Sequence, residues 1–409
     1  MDDKSLYSQI LGITHPWSVT CVDLVRPESK VIVTVTCDRD HACHCPECGN
    51  ECRVYDWKPR EWRHLDTCQF MTIIQADVPR TDCPEHGIHM VGVPWAEAGR
   101  RYTVQFETMV LMWLKDAAPS AVAEHFRLGW DAVTGIRDKG VRRGLARRES
   151  VSALRLGIDE TSSRKGHNYL TVVSDGKRVL YVAEGRDKEA IDGFWPLLDR
   201  VNLECLESVS MDLWKAYQSS VLEHVPDAAE KICLDRFHVA GYFSKALDLV
   251  RRREHKELAA QGDASLKGTK WDWLRSDAKC DNRGRKWFTD LKQGTTRTAR
   301  AWAMKETAAT LWSYDYMGVA EKQWKRLIGW MQRSRLQPMV DLAKSIRKNL
   351  WMILNAIRIR ANNGNAESIN SRIQKIKSQA CGFRNMDNFK NAIYFHLGEL
   401  RMFPDGGLT

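Results

Sequence analysis

Between residues 154 and 184 the chain alternates short apolar runs with polar, Gly-bearing turns. LRLGI, YLTVV and RVLYVAEG, separated by SSRKGHN and SDGK, predict three antiparallel strands. The spacing then turns helical in DKEAIDGFWPLLDRV, where Ile191, Phe194, Leu197 and Leu198 fall on one stripe. ESVSM predicts a fourth strand ahead of the helical DLWKAYQSSVLEHV, and AEKICL a fifth ahead of DRFHVAGYFSKALDLVRRR. Elsewhere the rhythm differs. Residues 1–97 carry β-branched runs such as VIVTVT, residues 98–150 read helical and basic, and 241–355 is helical throughout and rich in Trp.

The order βββαβαβα predicts an α/β fold with a mixed five-stranded sheet, an RNase-H-like core whose later strands join in parallel through helices. The expected division is 1–97, 98–150, 151–240, an all-helical insertion at 241–355, and a return to the core at 356–409. Strand alternation puts Leu154, Leu156 and Ile158 on one face, Asp159 on the other, and Glu160 back on the Leu side, where it pairs locally. Val209 and Met211 likewise oppose Ser208, Ser210 and Asp212. Asp159 and Asp212 therefore end strands facing a common site. Two such carboxylates repel unless a divalent cation lies between them. The bland reading of Asp212 is a cap for the helix DLWKAY.

A third acid comes from NNGNAESINSRIQKIKSQACGF. As a helix it carries an apolar stripe of Ile369, Ile373 and Ile376. Glu367, Asn370, Ser371 and Gln374 lie on the other side, with Arg372, Lys375 and Lys377 near enough to meet phosphates. Three carboxylates suit Mg²⁺ or Mn²⁺, and two ions about 4 Å apart can drive in-line phosphodiester chemistry. Asp235 and His238, in DRFH, are the rival metal position. They are read as orienting the site from behind, or as a plain Asp–His hydrogen bond between strand and helix.

Charge and cysteine placement add a partner and a second metal. Sixty-two basic against 52 acidic residues, a net +10 and a pI near 9.0 favour a polyanion. No run of eighteen apolar residues exists, and the N-terminus lacks a basic segment leading into an apolar one. The expectation is a cytoplasmic, nucleoid-associated protein with no membrane span. Eight of the 12 cysteines precede residue 84, which sets that part off as a metal module. Cys45 and Cys48 in CPEC, with Cys83 and His86 in CPEH, form two hooks for a tetrahedral, structural Zn²⁺. Cys43, Cys52, Cys68, His44 and His64 are spares.

PSAVAEHFRLGWDAVTGIRDKGVRRGLARR has the pattern of a helix-turn-helix, though a generic helical hairpin shows the same spacing. Ala121, Val122 and Phe126 bury its first helix, Leu128–Gly129 forms the turn, and Val133, Ile136 and Val141 anchor the second. Arg137, Lys139, Arg142 and Arg143 then line a basic face toward DNA. Arg164, Lys165 and His167 add a basic turn between the first two core strands.

The segments GIDETSSRKGHNYLTVVSD, VSMDLWKAY, CLDRFHV, NAESINSRIQKIKSQACGFRN, CPECG and WRHLD resemble those of the ISL-three family of bacterial insertion-sequence transposases. The resemblance runs over nearly the whole chain, departing at Ser368, where relatives often have Gly. It implies a DDE triad at Asp159, Asp212 and Glu367, with the helical insertion splitting the core before Glu367. It also implies recognition of terminal inverted repeats by the N-terminal half. Metal-dependent strand cleavage and strand transfer into target DNA would follow, in a complex of at least two protomers. The alternatives are a non-catalytic DNA-binding regulator derived from a transposase, and a structure-selective RNase-H-like nuclease.

Overall fold

The computed structural model describes residues 2–162, 169–275, 289, 296–361, 364–380 and 382–406. The basic turn with Arg164, Lys165 and His167 lies outside them. The chain forms two compact units, one of residues 1–148 with 394–396 and 400–409, the other of 149–393 with 397–399. The segment 356–409 thus divides between the units.

In the first unit, helix α1 (Asp3–Leu11) precedes β1 (Trp17–Val25), β2 (Lys30–Cys37), β3 (Arg53–Arg63), β4 (Met71–Cys83) and β5 (Gly87–Met90). The sheet runs β1-β2-β4-β3, with β5 paired to β4. Alternation in VIVTV and TIIQADV turns Val31, Val33, Val35, Ile74, Ala76 and Val78 inward. There they meet Trp17, Trp62 and Trp95, which pack edge to face. Helices α2 (Val104–Asp116), α3 (Pro119–His125) and α4 (Trp130–Ala146) follow. Thr103 caps α2 and also hydrogen-bonds the buried His64 ring at 2.9 Å. Burial pushes the His64 imidazole down to about 4, so this spare is a packed side chain. The α3–α4 turn passes through Arg127 in a left-handed conformation, then Leu128 and Gly129. Val122, Phe126, Val133, Ile136 and Val141 are buried as the spacing requires. Ala121 is exposed, because Ala123 rather than Ala121 faces the interior.

In the second unit, β6 (Arg155–Ser162), β7 (Tyr169–Ser174) and β8 (Val179–Glu184) are antiparallel neighbours. Helices α5 (Lys188–Asp192) and α6 (Arg200–Cys205) lead to β9 (Ser208–Met211). Helices α7 (Lys215–His224) and α8 (Ala228–Lys231) lead to β10 (Ile232–Leu234). The sheet order is β10-β9-β6-β7-β8, with β9 parallel to β6 and β10 parallel to β9. Two expectations fail locally. Leu154 precedes the strand and is 58% exposed, so the core face of β6 starts at Leu156. The single helix expected over DKEAIDGFWPLLDRV breaks into α5, a 3-10 turn at Trp195–Leu197 and α6. Pro196 cannot donate to a continuing helix, and Leu197 turns outward.

After β10, α9 (Arg236–Ala260) runs unbroken through residue 240. Helices α10 (Lys270–Leu274), α11 (Thr296–Thr310), α12 (Met317–Arg333), α13 (Gln337–Lys348), α14 (Leu350–Ile359), α15 (Gly364–Gln379) and α16 (Met386–Leu397) follow. One core joins Leu156, Val209 and Leu234 of the sheet to Phe243, Trp273, Trp324 and Met352 of the helices. Trp273 and Trp324 are fully buried, so these two serve packing. Among the described residues no helix is long and apolar enough to cross a membrane.

Candidate functional site

Strand register brings the acids together. Leu156 pairs with Val209 and Gly157 with Ser210. Two residues further along both strands come Asp159 and Asp212. On the other side of β9, Leu234 pairs with Met211, so the next residue, Asp235, also falls opposite Asp212. The Asp235 N–H donates to the Met211 carbonyl at 3.0 Å and continues that pairing. Three carboxylates therefore stand in line across three adjacent parallel strands, Asp212 and Asp235 just past the ends of β9 and β10. Asp159, expected to end its strand, instead lies inside β6, which continues to Ser162 because it goes on pairing with β7.

Their partners differ. Asp212 accepts the Trp214 N–H at 2.8 Å, but α7 begins at Lys215, so Asp212 lies too early to be that helix's N-cap. Burial raises its carboxyl above the ordinary range, the Asp159 charge raises it further, and His238 and Arg186 oppose both. Asp235 caps α9 by accepting the Phe237 N–H at 2.8 Å. His238, one turn into α9, sets Nε2 3.6 Å from Asp159 and 3.9 Å from Asp235. The Asp159 carboxylate lifts the imidazole to about 8, so that it adds positive charge beside these acids at neutral pH. Glu160 lies 3.6 Å from Arg186, the local pairing its face implies, and burial raises its carboxyl.

Helix α15 lies along β6 through a polar stripe. Asn370 donates to Asp159, Gln374 to Thr161 Oγ1 at 2.7 Å, and Lys377 to the Ser162 carbonyl at 2.8 Å. Ile369 and Ile373 are buried and Ile376 half-buried. Glu367 precedes Asn370 by three residues in the same helix, and its side chain lies outside the described residues. Lys377, expected to meet DNA, is committed to a strand carbonyl; Arg372 and Lys375 are exposed. The sequence analysis gives Asn370 and Gln374 no role, although their i, i+4 spacing faces the alternate residues Asp159 and Thr161 of β6.

The second cluster sits in the first unit. The ligand atoms of Cys45, Cys48, Cys83 and His86 all lie within 4.8 Å of one another. Cys48 Sγ is 3.8 Å from Cys83 Sγ, and His86 Nδ1 is 3.9 Å from Cys45 Sγ and 3.6 Å from Cys83 Sγ. A tetrahedron with Zn–S bonds of about 2.3 Å has edges of about 3.8 Å, so these donors fit zinc. The adjacent His86 ring lowers the Cys83 thiol to about 6, toward the thiolate that binds metal.

On α4, two of the four basic residues expected to face DNA turn inward. Arg137 is 4% exposed and pairs with Asp138 at 2.7 Å. Arg143 donates to the Met402 carbonyl at 2.6 Å and to Glu97 at 2.5 Å, and lies 3.6 Å from the buried Glu107. The tail runs so close that a Cβ on Gly144 would sit 2.6 Å from Leu400 Cβ. Arg142 is exposed and Lys139 half-buried. Arg143→Ala should therefore cost about 1.5–3 kcal/mol through the lost charge-assisted bonds to Glu97 and the Met402 carbonyl, while Arg100 still pairs with the buried Glu107. Arg142→Ala should leave the urea midpoint unchanged and weaken DNA binding. Equal midpoints for both variants would return Arg143 to the surface.

A family model described as transposase matches residues 156–393. A second, the zinc-finger of transposase IS204/IS1001/IS1096/IS1165, matches 41–86, and a third, the helix-turn-helix domain of transposase family ISL3, matches 92–141. The chain is 29% identical over 394 residues to the transposase for insertion sequence element IS1557 of Mycobacterium tuberculosis, covering 88% of this chain and 85% of that one. It is 27% identical over 373 residues to the transposase for insertion sequence element IS1001 of Bordetella parapertussis, covering 89% and 88%. Among solved structures, the Drosophila P element transposase strand transfer complex aligns at a TM-score of 0.38 and 11% identity, over 76% of this chain and 95% of that one.

Proposed function

The chain belongs to the ISL3 family of transposases, and we propose that it cuts and joins DNA at its element's ends through Asp159, Asp212 and Glu367. The observation that carries this reading is the register placing Asp159 beside Asp212, with α15 laid on the same strand through Asn370. The strand order supports taking 151–240 as the first part of an RNase-H-like core. The helices of 241–355 are then an inserted body, and α15 is the core's return. Residues 1–97 are the zinc module and 98–150 the helix-turn-helix domain.

Asp159 and Asp212 offer hard carboxylate oxygens in line, and Glu367 would add a third from α15; this donor set fits Mg²⁺ or Mn²⁺. Bound there, two such ions would activate a water or a 3′-hydroxyl and stabilise the leaving oxygen. The chain's own residues orient the centre. Asn370 fixes the Asp159 carboxylate, Asp235 fixes the start of α9, and His238 offsets the negative charge while no metal is bound. Arg142, Lys139, Arg372 and Lys375 would contact phosphates of terminal-repeat and target DNA. Holding two element ends together calls for at least two protomers.

The test is purified protein with labelled duplex carrying the element's terminal repeat, with and without Mg²⁺ or Mn²⁺. Metal-dependent cuts at the repeat boundary that leave 3′-hydroxyls are expected. Specific binding without cleavage would make the chain a regulator, and cleavage indifferent to the repeat would make it a nuclease.

A further inference from the structure

Beside the acids stands one cation that the three-carboxylate reading does not use. Gly185, with φ +92°, follows β8 and turns the chain into Arg186; a Cβ there would meet the Asp187 carboxylate at 3.2 Å. The Gly185 N–H donates to the Tyr169 carbonyl at 2.9 Å. The Arg186 guanidinium carbon then lies over two rings, 4.4 Å from the Tyr169 centroid and 4.3 Å from that of Trp214. Trp214 Nε1 donates to the Arg186 carbonyl at 2.5 Å, and its backbone N–H donates to Asp212. Glu160, 3.6 Å away, is the ionic partner of Arg186 among the described residues.

We propose that Arg186, held over the Tyr169 and Trp214 rings, is a phosphodiester-binding site at the edge of the catalytic acids, a proposal that rests on the reading of Asp159 and Asp212 as the active centre. A guanidinium held over aromatic rings keeps its in-plane N–H donors, the edge that grips phosphate in a fork. A partly exposed ion pair at 3.6 Å is worth little by itself and does not require a two-ring clamp. The clamp removes rotamer freedom before DNA arrives, so less is lost when the contact forms. The DNA backbone must also approach Asp159 and Asp212, and a fixed cation tied to Asp212 through Trp214 offsets that repulsion.

Two variants test this, Arg186→Gln and Arg186→Lys, with the full chain and duplex carrying one terminal repeat. Affinity is measured without divalent metal across a salt series, and kcat and KM for cleavage are measured with Mg²⁺. For Arg186→Gln the slope of log K against log salt should shrink by about one, and cleavage should fall about 10–100-fold. Arg186→Lys should restore the slope but not the rate, because an ammonium lacks the fork. An unchanged slope in a folded Arg186→Gln protein overturns the proposal. Unfolding of both variants overturns it too, since Arg186 would then be a structural clamp. Failure of the wild type to cleave removes the active-centre reading instead, and the metal-free slope tells the two failures apart.

Discussion

Asp159→Asn and Asp212→Asn should each lower metal-dependent cleavage of terminal-repeat DNA by at least about 1000-fold while leaving the protein folded. Replacing one carboxylate oxygen by an amide removes a charged donor from the centre. Several kcal/mol of transition-state stabilisation at about 1.4 kcal/mol per decade gives that factor. The Asn side-chain oxygen can still accept the N–H groups that Asp159 and Asp212 hold, at 2.7 and 2.8 Å, and at 159 the Asn370 amide flips so that its oxygen meets the new amide N–H. The double variant should be little worse than either single one, since the two act as a unit. Asp235→Asn separates the third aligned acid from them. Asn caps helices as well as Asp does, so α9 keeps its start, and the loss should stay near 10–100-fold, as for groups that orient ligands. Cleavage by Asp159→Asn or Asp212→Asn within about tenfold of wild type would remove that residue from the centre.

The positions of Asp159 and Asp212 were legible because a strand has period two, and because parallel neighbours keep their register over the few residues that matter. The zinc donors were legible for a similar reason, since each hook closes within its own turn. Arg143 was not legible. Its partners, Glu97 and Met402, lie 46 and 259 positions away in sequence, and nothing in the local pattern of α4 separates Arg143 from the exposed Arg142 beside it. Lys377 misled for the same reason, because the carbonyl it meets belongs to a strand 215 positions earlier. The break at Pro196 is written in the sequence by the donor that proline lacks, but the apolar stripe of Ile191, Phe194, Leu197 and Leu198 alone does not show it. The Arg186 clamp needs Tyr169, Gly185 and Trp214 together, from three separate elements.

Removing zinc should unfold part of the first unit rather than all of it. The ion would tie the turn after β4, which carries Cys83 and His86, to the loop that carries Cys45 and Cys48. That loop otherwise rests on a few backbone bonds, such as Cys45 N–H to the Asn50 carbonyl and Cys52 N–H to the Cys43 carbonyl, both 2.9 Å. The sheet's own core of Trp17, Val33, Val35, Trp62, Ile74 and Trp95 does not include the four ligands. Structural zinc contributes about 10–16 kcal/mol in small modules, more than such a loop can hold by itself, whereas the tryptophan core has its own burial to sustain it. Cys83→Ser should therefore abolish zinc in the purified protein. Amide exchange should rise around residues 41–52 and 83–90, while near-ultraviolet ellipticity from the buried tryptophans persists. Cys68→Ser, at an exposed position, should retain zinc. Cys52→Ser decides the ligand set: it should also retain zinc, and loss of metal there but not in His86→Ala would put Cys52 in the place of His86.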